Sequence, residues 1–182
     1  RTVVHLHGLN VKPESDGFPD SWFTPGESAL YYYPNKQQAC TLWYHDHAIG
    51  ITRLNVYAGL SGMYYIRDRN EKKLNLPCGE YEIPLVIQDR DFNDDGSLSY
   101  PAPSIGGVQP SVIPGFFGSY ALVNGKVWPH LVVKPRKYRF RFLNGSNSRD
   151  YALRFSGEPG QILPSMNQIG TDGGFLERPA KL

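Results

Sequence analysis

The sequence predicts an all-β sandwich, and three observations lead there. Short runs rich in β-branched and aromatic residues recur from end to end. Gly, Pro, Asn and Asp separate them, and no coiled-coil heptads or usable internal repeat interrupt the pattern.

In chain order, Thr2 to His7 and Cys40 to His45 are the first strands expected, one β-branched and the other aromatic. Gly62 to Arg67 and Tyr81 to Gln88 follow. Ala121 to Val123, His130 to Val133, Lys137 to Leu143 and Tyr151 to Phe155 complete the set. Asn124-Gly125, set between apolar runs, predicts a tight hairpin turn, because its central positions need residues that tolerate positive φ. Arg67 to Glu80 (RDRNEKKLNLPCGE) loses apolar periodicity and is heavily charged, so it predicts a boundary between two β modules. Asp91 to Gly118 is Pro- and Gly-rich and too long for an ordinary connection, which predicts a functional or wrapping loop.

Composition excludes several classes of function. A length of 182 residues allows a sizeable core, and 40% hydrophobic against 20% charged residues describes a turn-rich globular chain. No apolar run approaches the roughly 20 residues of a spanning helix, so no membrane partner is expected. A net charge of +2 is too small to argue for nucleic acid. The basic stretch Lys134 to Arg141 alternates with Val, Pro, Tyr and Phe and reads as one solvated strand face. Cys40 and Cys78 lack CxxC spacing and read as free or partly buried thiols, with a single bridge between them left open. The chain opens directly in TVVHLHG, with no initiator Met or targeting segment, so a piece of something longer is expected.

The chemistry lies in two HxH pairs, which hold four of the five histidines. Strand side chains alternate between faces, so His5 and His7 share one face roughly 6.6 Å apart, and His45 and His47 do the same if extended. That spacing suits two metals, each taking one ring from each strand, better than one metal chelated by both rings of a pair. Neutral imidazole suits copper, zinc, iron and nickel, and the lack of nearby Cys or Glu removes most structural zinc patterns. His130, after Trp128-Pro129, reads as a solvated strand residue. Trp22, Trp43 and Tyr44 read as packing around the site, and Gly59 and Gly62 as permitting turns or close backbone approach. Asp91, Asn93, Asp95 and Gly96 stand in calcium-loop order, but the twelfth position is Ala102 and strands flank it, so a polar turn is expected. A cupin would place Glu where Val11 or Lys12 stands, and a zinc hydrolase would want a third ligand near one pair.

VVHLHG, then LWYHDHA and RLNVYAGLSGMYYI, resemble the amino-terminal half of the copper site in multicopper oxidases. SDGFPDSWFTPG, YYYPNKQQ and LVNGKVWPHLVVKPRKYRFRFLNGSNSR are similar to bacterial spore-coat-type laccases and their bilirubin-oxidising relatives. The resemblance covers nearly the whole chain. It implies a cupredoxin-like Greek-key β-sandwich, one partial domain plus part of a second. Residues 1–68 would be the C-terminal part of the first domain, 69–80 a linker, and 81–182 a truncated second domain. It implies copper as cofactor, with His5 on the type 2 ion, His7 and His45 sharing one type 3 ion, and His47 on the other. Dioxygen would bind among the three coppers and be reduced by four electrons to two waters. Asp16, in the SDG turn, matches an acidic residue that assists proton delivery.

The HCH motif of the family's type 1 copper, where electrons enter, is absent: Cys40 sits in QACTL and Cys78 in LPCGE. Two further HxH pairs of the trinuclear cluster are missing too. The expected partners are therefore dioxygen, a small aromatic reducing substrate, and either a missing cupredoxin domain or a second copy of the chain supplying the other histidines. A copper-binding segment without turnover is the alternative reading. A spore-coat or extracellular setting is implied by the resemblance alone.

Overall fold

The computed structural model describes residues 1–100 and 115–182. Among them the chain is mostly strand, in three sheets. In chain order the elements are β1 (Val4–His7), β2 (Cys40–Asp46), α1 (Thr52–Tyr57), β3 (Ser61–Ile66) and α2 (Arg69–Lys73). Then come β4 (Glu82–Phe92), β5 (Leu98–Ser99), β6 (Tyr120–Val123), β7 (Lys126–Val127), β8 (Arg139–Asn144), β9 (Asn167–Thr171) and β10 (Gly174–Lys181).

The first sheet runs β1-β2-β3, antiparallel throughout, with His5 opposite His45 and His7 opposite Trp43. Because paired residues share a face, one side of this sheet carries His5, His7, Trp43, His45 and Met63. The other carries Leu6, Cys40, Leu42, Tyr64 and Ile66. Leu6, Leu9, Cys40, Leu42 and Ile66 form the buried apolar cluster, with Val11, Tyr33 and Tyr64 packed against it. Burial of that face at about 25 cal/mol per Å² keeps the imidazole face pointing outward, since a one-residue slip would exchange the two. Gly62 faces the Tyr44 ring so closely that a Cβ there would collide with it, as close approach predicted. Gly59 sits at φ +109° in the turn before β3.

The second sheet has the order β5-β4-β6-β7, with β8 parallel to β4 along Glu82–Ile87. The predicted Asn124-Gly125 turn closes the β6–β7 hairpin, with φ of 51° and 78° at its two central residues. The calcium-like loop is a hairpin turn between β4 and β5, where Asp95 accepts hydrogen bonds from the Ser97 amide and hydroxyl at 2.9 and 2.6 Å. Half of the predicted Asp91–Gly118 loop, residues 101–114, lies outside the described residues.

Two expected strands are not strands. His130 to Val133 is not part of a β-ladder, because Pro129 and Pro135 remove donors on either side, and its residues are exposed. His130 is solvated, as expected, although not on a strand. Tyr151 to Phe155 is likewise unpaired. The hairpin β9–β10 escaped prediction, although Asp172-Gly173 between its strands is a turn signal.

The solvated basic face also requires correction. Arg139 and Arg141 on β8 are each 7% exposed. Arg139 meets Glu71 at 2.8 Å, and Arg141 meets Glu71 at 3.1 Å and Glu82 at 2.6 Å. Arg67 meets Glu82 at 2.9 Å, and Arg141 reaches the Thr41 hydroxyl on β2. Alternating charges on a strand read as a wet face only when no opposite charge is brought over them, and here α2 brings Glu71. The helix exists because Asp68 caps it, accepting from the Glu71 amide at 2.7 Å and from the Ala39 amide at 3.1 Å. Cys40 is buried and Cys78 exposed, and both are free.

Candidate metal centre

The four paired histidines converge on one face of the first sheet. Ring centroids lie 5.6 Å apart for His5 and His7, 5.4 Å for His5 and His45, and 4.7 Å for His5 and His47, which are stacked. His45 stands 5.6 Å from both His7 and His47. Donor nitrogens of His5, His7 and His45 all fall within 4.8 Å of one another. His47 lies just past the end of β2, and its amide donates to the Val3 carbonyl at 2.9 Å, which keeps the pair extended.

Backbone carbonyls orient three of the rings through Nδ1. His5 donates to Asp16 O at 2.6 Å, His45 to Asp46 O at 2.7 Å, and His47 to Gly17 O at 3.0 Å. A proton on each of these Nδ1 atoms leaves Nε2 with a free lone pair, the usual way a protein prepares a histidine ligand. His7 differs: its Nδ1 faces His45 Nε2 at 3.4 Å. Two nitrogens on one metal at bonds of about 2.0–2.1 Å stand roughly 3–3.4 Å apart, so this pair is spaced as co-ligands. The donor set therefore fits a borderline cation such as copper. Burial, with the neighbouring imidazoles adding to it, pushes the His45 imidazolium pKa below its ordinary value and favours the neutral ligand form.

The carbonyls come from a tight turn. Pro13–Ser15 forms a single 3-10 turn, after which Gly17 takes φ +77° with its carbonyl toward His47. A Cβ at position 17 would run into the Val4 carbonyl, so only glycine lets this loop lie against β1. Asp16 lies beside the cluster: its Oδ1 is 3.5 Å from His5 Nδ1, and its side chain is 34% exposed. Trp43 lies tilted 4.2 Å from His45 and stacks 5.5 Å from His7, walling one side. Trp22 lies under Arg1 instead, 5.3 Å away, and Tyr44 covers Gly62 on the opposite face. Asp46 was missed at the sequence level, since it reads as the spacer of HDH. It is 2% exposed and accepts from Thr2 Oγ1 at 2.6 Å, the Val3 amide at 3.1 Å and the Ala48 amide at 3.1 Å.

Comparison with known proteins agrees with this architecture. A multicopper oxidase family model matches residues 1–71. A laccase of Bacillus stratosphericus is 53% identical over 98% of this chain and 37% of its own length. A laccase of Bacillus subtilis is 50% identical over 100% of this chain and 37% of its own length. In structure, McoA multicopper oxidase from the hyperthermophile Aquifex aeolicus superposes with a TM-score of 0.79 at 34% identity, over 100% of this chain and 39% of that one. The chain belongs to the multicopper oxidase family. It spans about 37% of the length of these laccases.

Proposed function

We propose that this chain supplies half of the trinuclear copper cluster of a laccase-type oxidase, which couples one-electron oxidation of phenolic or similar substrates to reduction of dioxygen to water. The observation carrying this reading is the convergence of four imidazoles, three of them with Nδ1 committed to carbonyls. His5 is assigned to the type 2 ion, His7 and His45 to one type 3 ion, and His47 to the other; the 3.4 Å approach of His7 to His45 supports the shared assignment. When bound, copper supplies the one-electron chemistry that links the reducing substrate to dioxygen.

The chain's own groups hold and orient. Carbonyls of residues 16, 17 and 46 fix three rings, and Trp43 excludes water from one side. Asp16, beside His5 and partly open to solvent, is assigned to passing protons toward the cluster, since reducing dioxygen consumes them. The remaining histidines and the type 1 copper come from a further cupredoxin domain or, for the histidines, from a second copy of this chain.

A second reading, copper binding without turnover, is favoured by the cysteines. Cys40 is buried on the apolar face of β2, away from the imidazoles, and Cys78 has no histidine neighbour in sequence. Copper and oxygen measurements separate the two. The purified chain is expected to retain about one or more copper ions, and His7→Ala with His45→Ala to remove them. Copper well below about one per chain, unaffected by that pair, overturns both readings. Oxygen uptake with a phenol, appearing only when the completing domain or second copy is present, distinguishes oxidase from binding module.

A further inference from the structure

We infer that Asp46 is a positioning residue: its buried carboxylate clamps the start of β1 to the turn after β2 and thereby sets where His47 stands relative to His5. The inference rests on the copper reading for its consequence, but not for its geometry.

The two HxH pairs are built on different supports. In β1 the spacer is Leu6, 2% exposed and packed in the apolar cluster, so burial holds that pair from behind. In β2 the spacer is Asp46, equally buried at 2%. Burying a carboxylate costs several kcal/mol unless its oxygens are satisfied, so packing alone would favour another apolar residue here. Both oxygens are occupied instead. Oδ1 accepts from the Thr2 hydroxyl at 2.6 Å and the Val3 amide at 3.1 Å, and Oδ2 accepts from the Ala48 amide at 3.1 Å. All three partners are donors, so an acceptor-only group fits and an amide does not.

The clamp falls where the ladder gives out. β2 ends at Asp46, and the His47 amide bonds to Val3 O, just before β1, at 2.9 Å. Val3, before β1, and Ala48, after β2, are both bonded by Asp46 and are both 0% exposed. Val3 therefore touches His47 through its carbonyl and Asp46 through its amide, and Ala48 is fixed immediately after His47. Releasing the Ala48 bond frees the backbone beside His47, whose ring must stay 4.7 Å from His5 and 3.0 Å from the Gly17 carbonyl.

Asp46→Asn tests this in the intact protein, because it keeps the size but leaves one acceptor oxygen and turns an N–H toward another donor. In the metal-free chain the Ala48 amide is expected to lose exchange protection and the His47 ring Nδ1–H resonance to broaden, while both are retained at His5. Copper affinity is expected to fall about 10–100-fold, as for other groups that orient ligands. Thr2→Val, which removes only the hydroxyl bond, is expected to lower it about 10-fold, the mild end of that behaviour. Asp46→Asn that lowers Tm but keeps copper affinity and the His47 signal overturns the inference and leaves Asp46 a purely structural residue. If Asp46→Asn does not fold, Thr2→Val decides, and unchanged affinity with an unchanged His47 signal overturns it. If the parent chain holds no copper, the copper reading fails, and the metal-free signals of Ala48 and His47 still decide the positioning role.

Discussion

The first and second sheets are stabilised by opposite means. Behind the histidines, Leu6, Leu9, Cys40, Leu42 and Ile66 form the buried apolar cluster, and Asp46 is the one buried acid among the described residues up to position 70. From residue 71 onward the balance reverses. Phe116 and Leu122 are the buried apolar side chains described there, against Glu71, Asp89, Arg90, Arg139 and Arg141. Apolar packing is non-directional and close-packed, so it can support a face whose exposed side is given over to ligands. Buried ion pairs add little net stability but are demanding about partners. The reactive sheet thus sits on the tolerant support, and the neighbouring sheet is joined to it through the directional one, where Arg141 meets Thr41 of β2.

Breaking the ionic junction should have the larger effect. Glu71 is 7% exposed and faces Arg139, Arg141 and Arg67. Glu71→Ala leaves the two buried guanidiniums with Glu82 alone and is expected to cost about 3–5 kcal/mol, measured as a shift in denaturant midpoint. A cost under about 1 kcal/mol would mean the cluster is solvated and the contrast between the sheets is wrong.

The apolar support should fail less severely and leave the chemistry intact. Leu42, 1% exposed, projects from the face opposite Trp43 and the imidazoles. Leu42→Ala is expected to cost about 3 kcal/mol by leaving a cavity in the cluster. Copper affinity at the surviving folded fraction should stay within about 3-fold of the parent, as expected when no orienting partner is touched. A larger loss of affinity would show that the imidazole face depends on the packing behind it.

The main strands of the first and second sheets were largely legible in the sequence, and the ionic junction between them was not. β-Branched and aromatic runs place β1, β2 and β3 to within a few residues, and HxH spacing finds the ligand face, because period-two alternation is a local property. Asn124-Gly125 announces its turn for the same reason. The ionic cluster joins residues far apart in sequence, such as Glu71 and Arg141, so no local pattern marks Arg139 and Arg141 as buried. Asp46 hid in the same way: its donors at Thr2 and Val3 are distant in sequence, although the DxxE cap at Asp68 and Glu71 was there to be read. The carbonyls that fix the rings carry no side-chain signature beyond the glycine at position 17.

Acid should separate the two supports by the smallest and most graded effect. Burial alone would raise the Glu82 carboxyl, but hydrogen bonds from Arg67 and Arg141 hold its pKa below the ordinary value. Its stabilisation is therefore fully present above the unfolded-state value of about 4.3 and is lost as pH falls through the depressed folded value. Between about pH 4.3 and that lower value the parent should lose stability faster than Glu82→Gln, whose amide cannot titrate, and the two curves should run parallel at neutral pH. Leu42→Ala should shift the parent curve down by a constant amount across the same range, because the cavity it leaves does not titrate. Denaturant midpoints of the three proteins from pH 3 to 7 measure this. Parallel curves for parent and Glu82→Gln at low pH would remove the ionic junction from the account of how the second sheet is held.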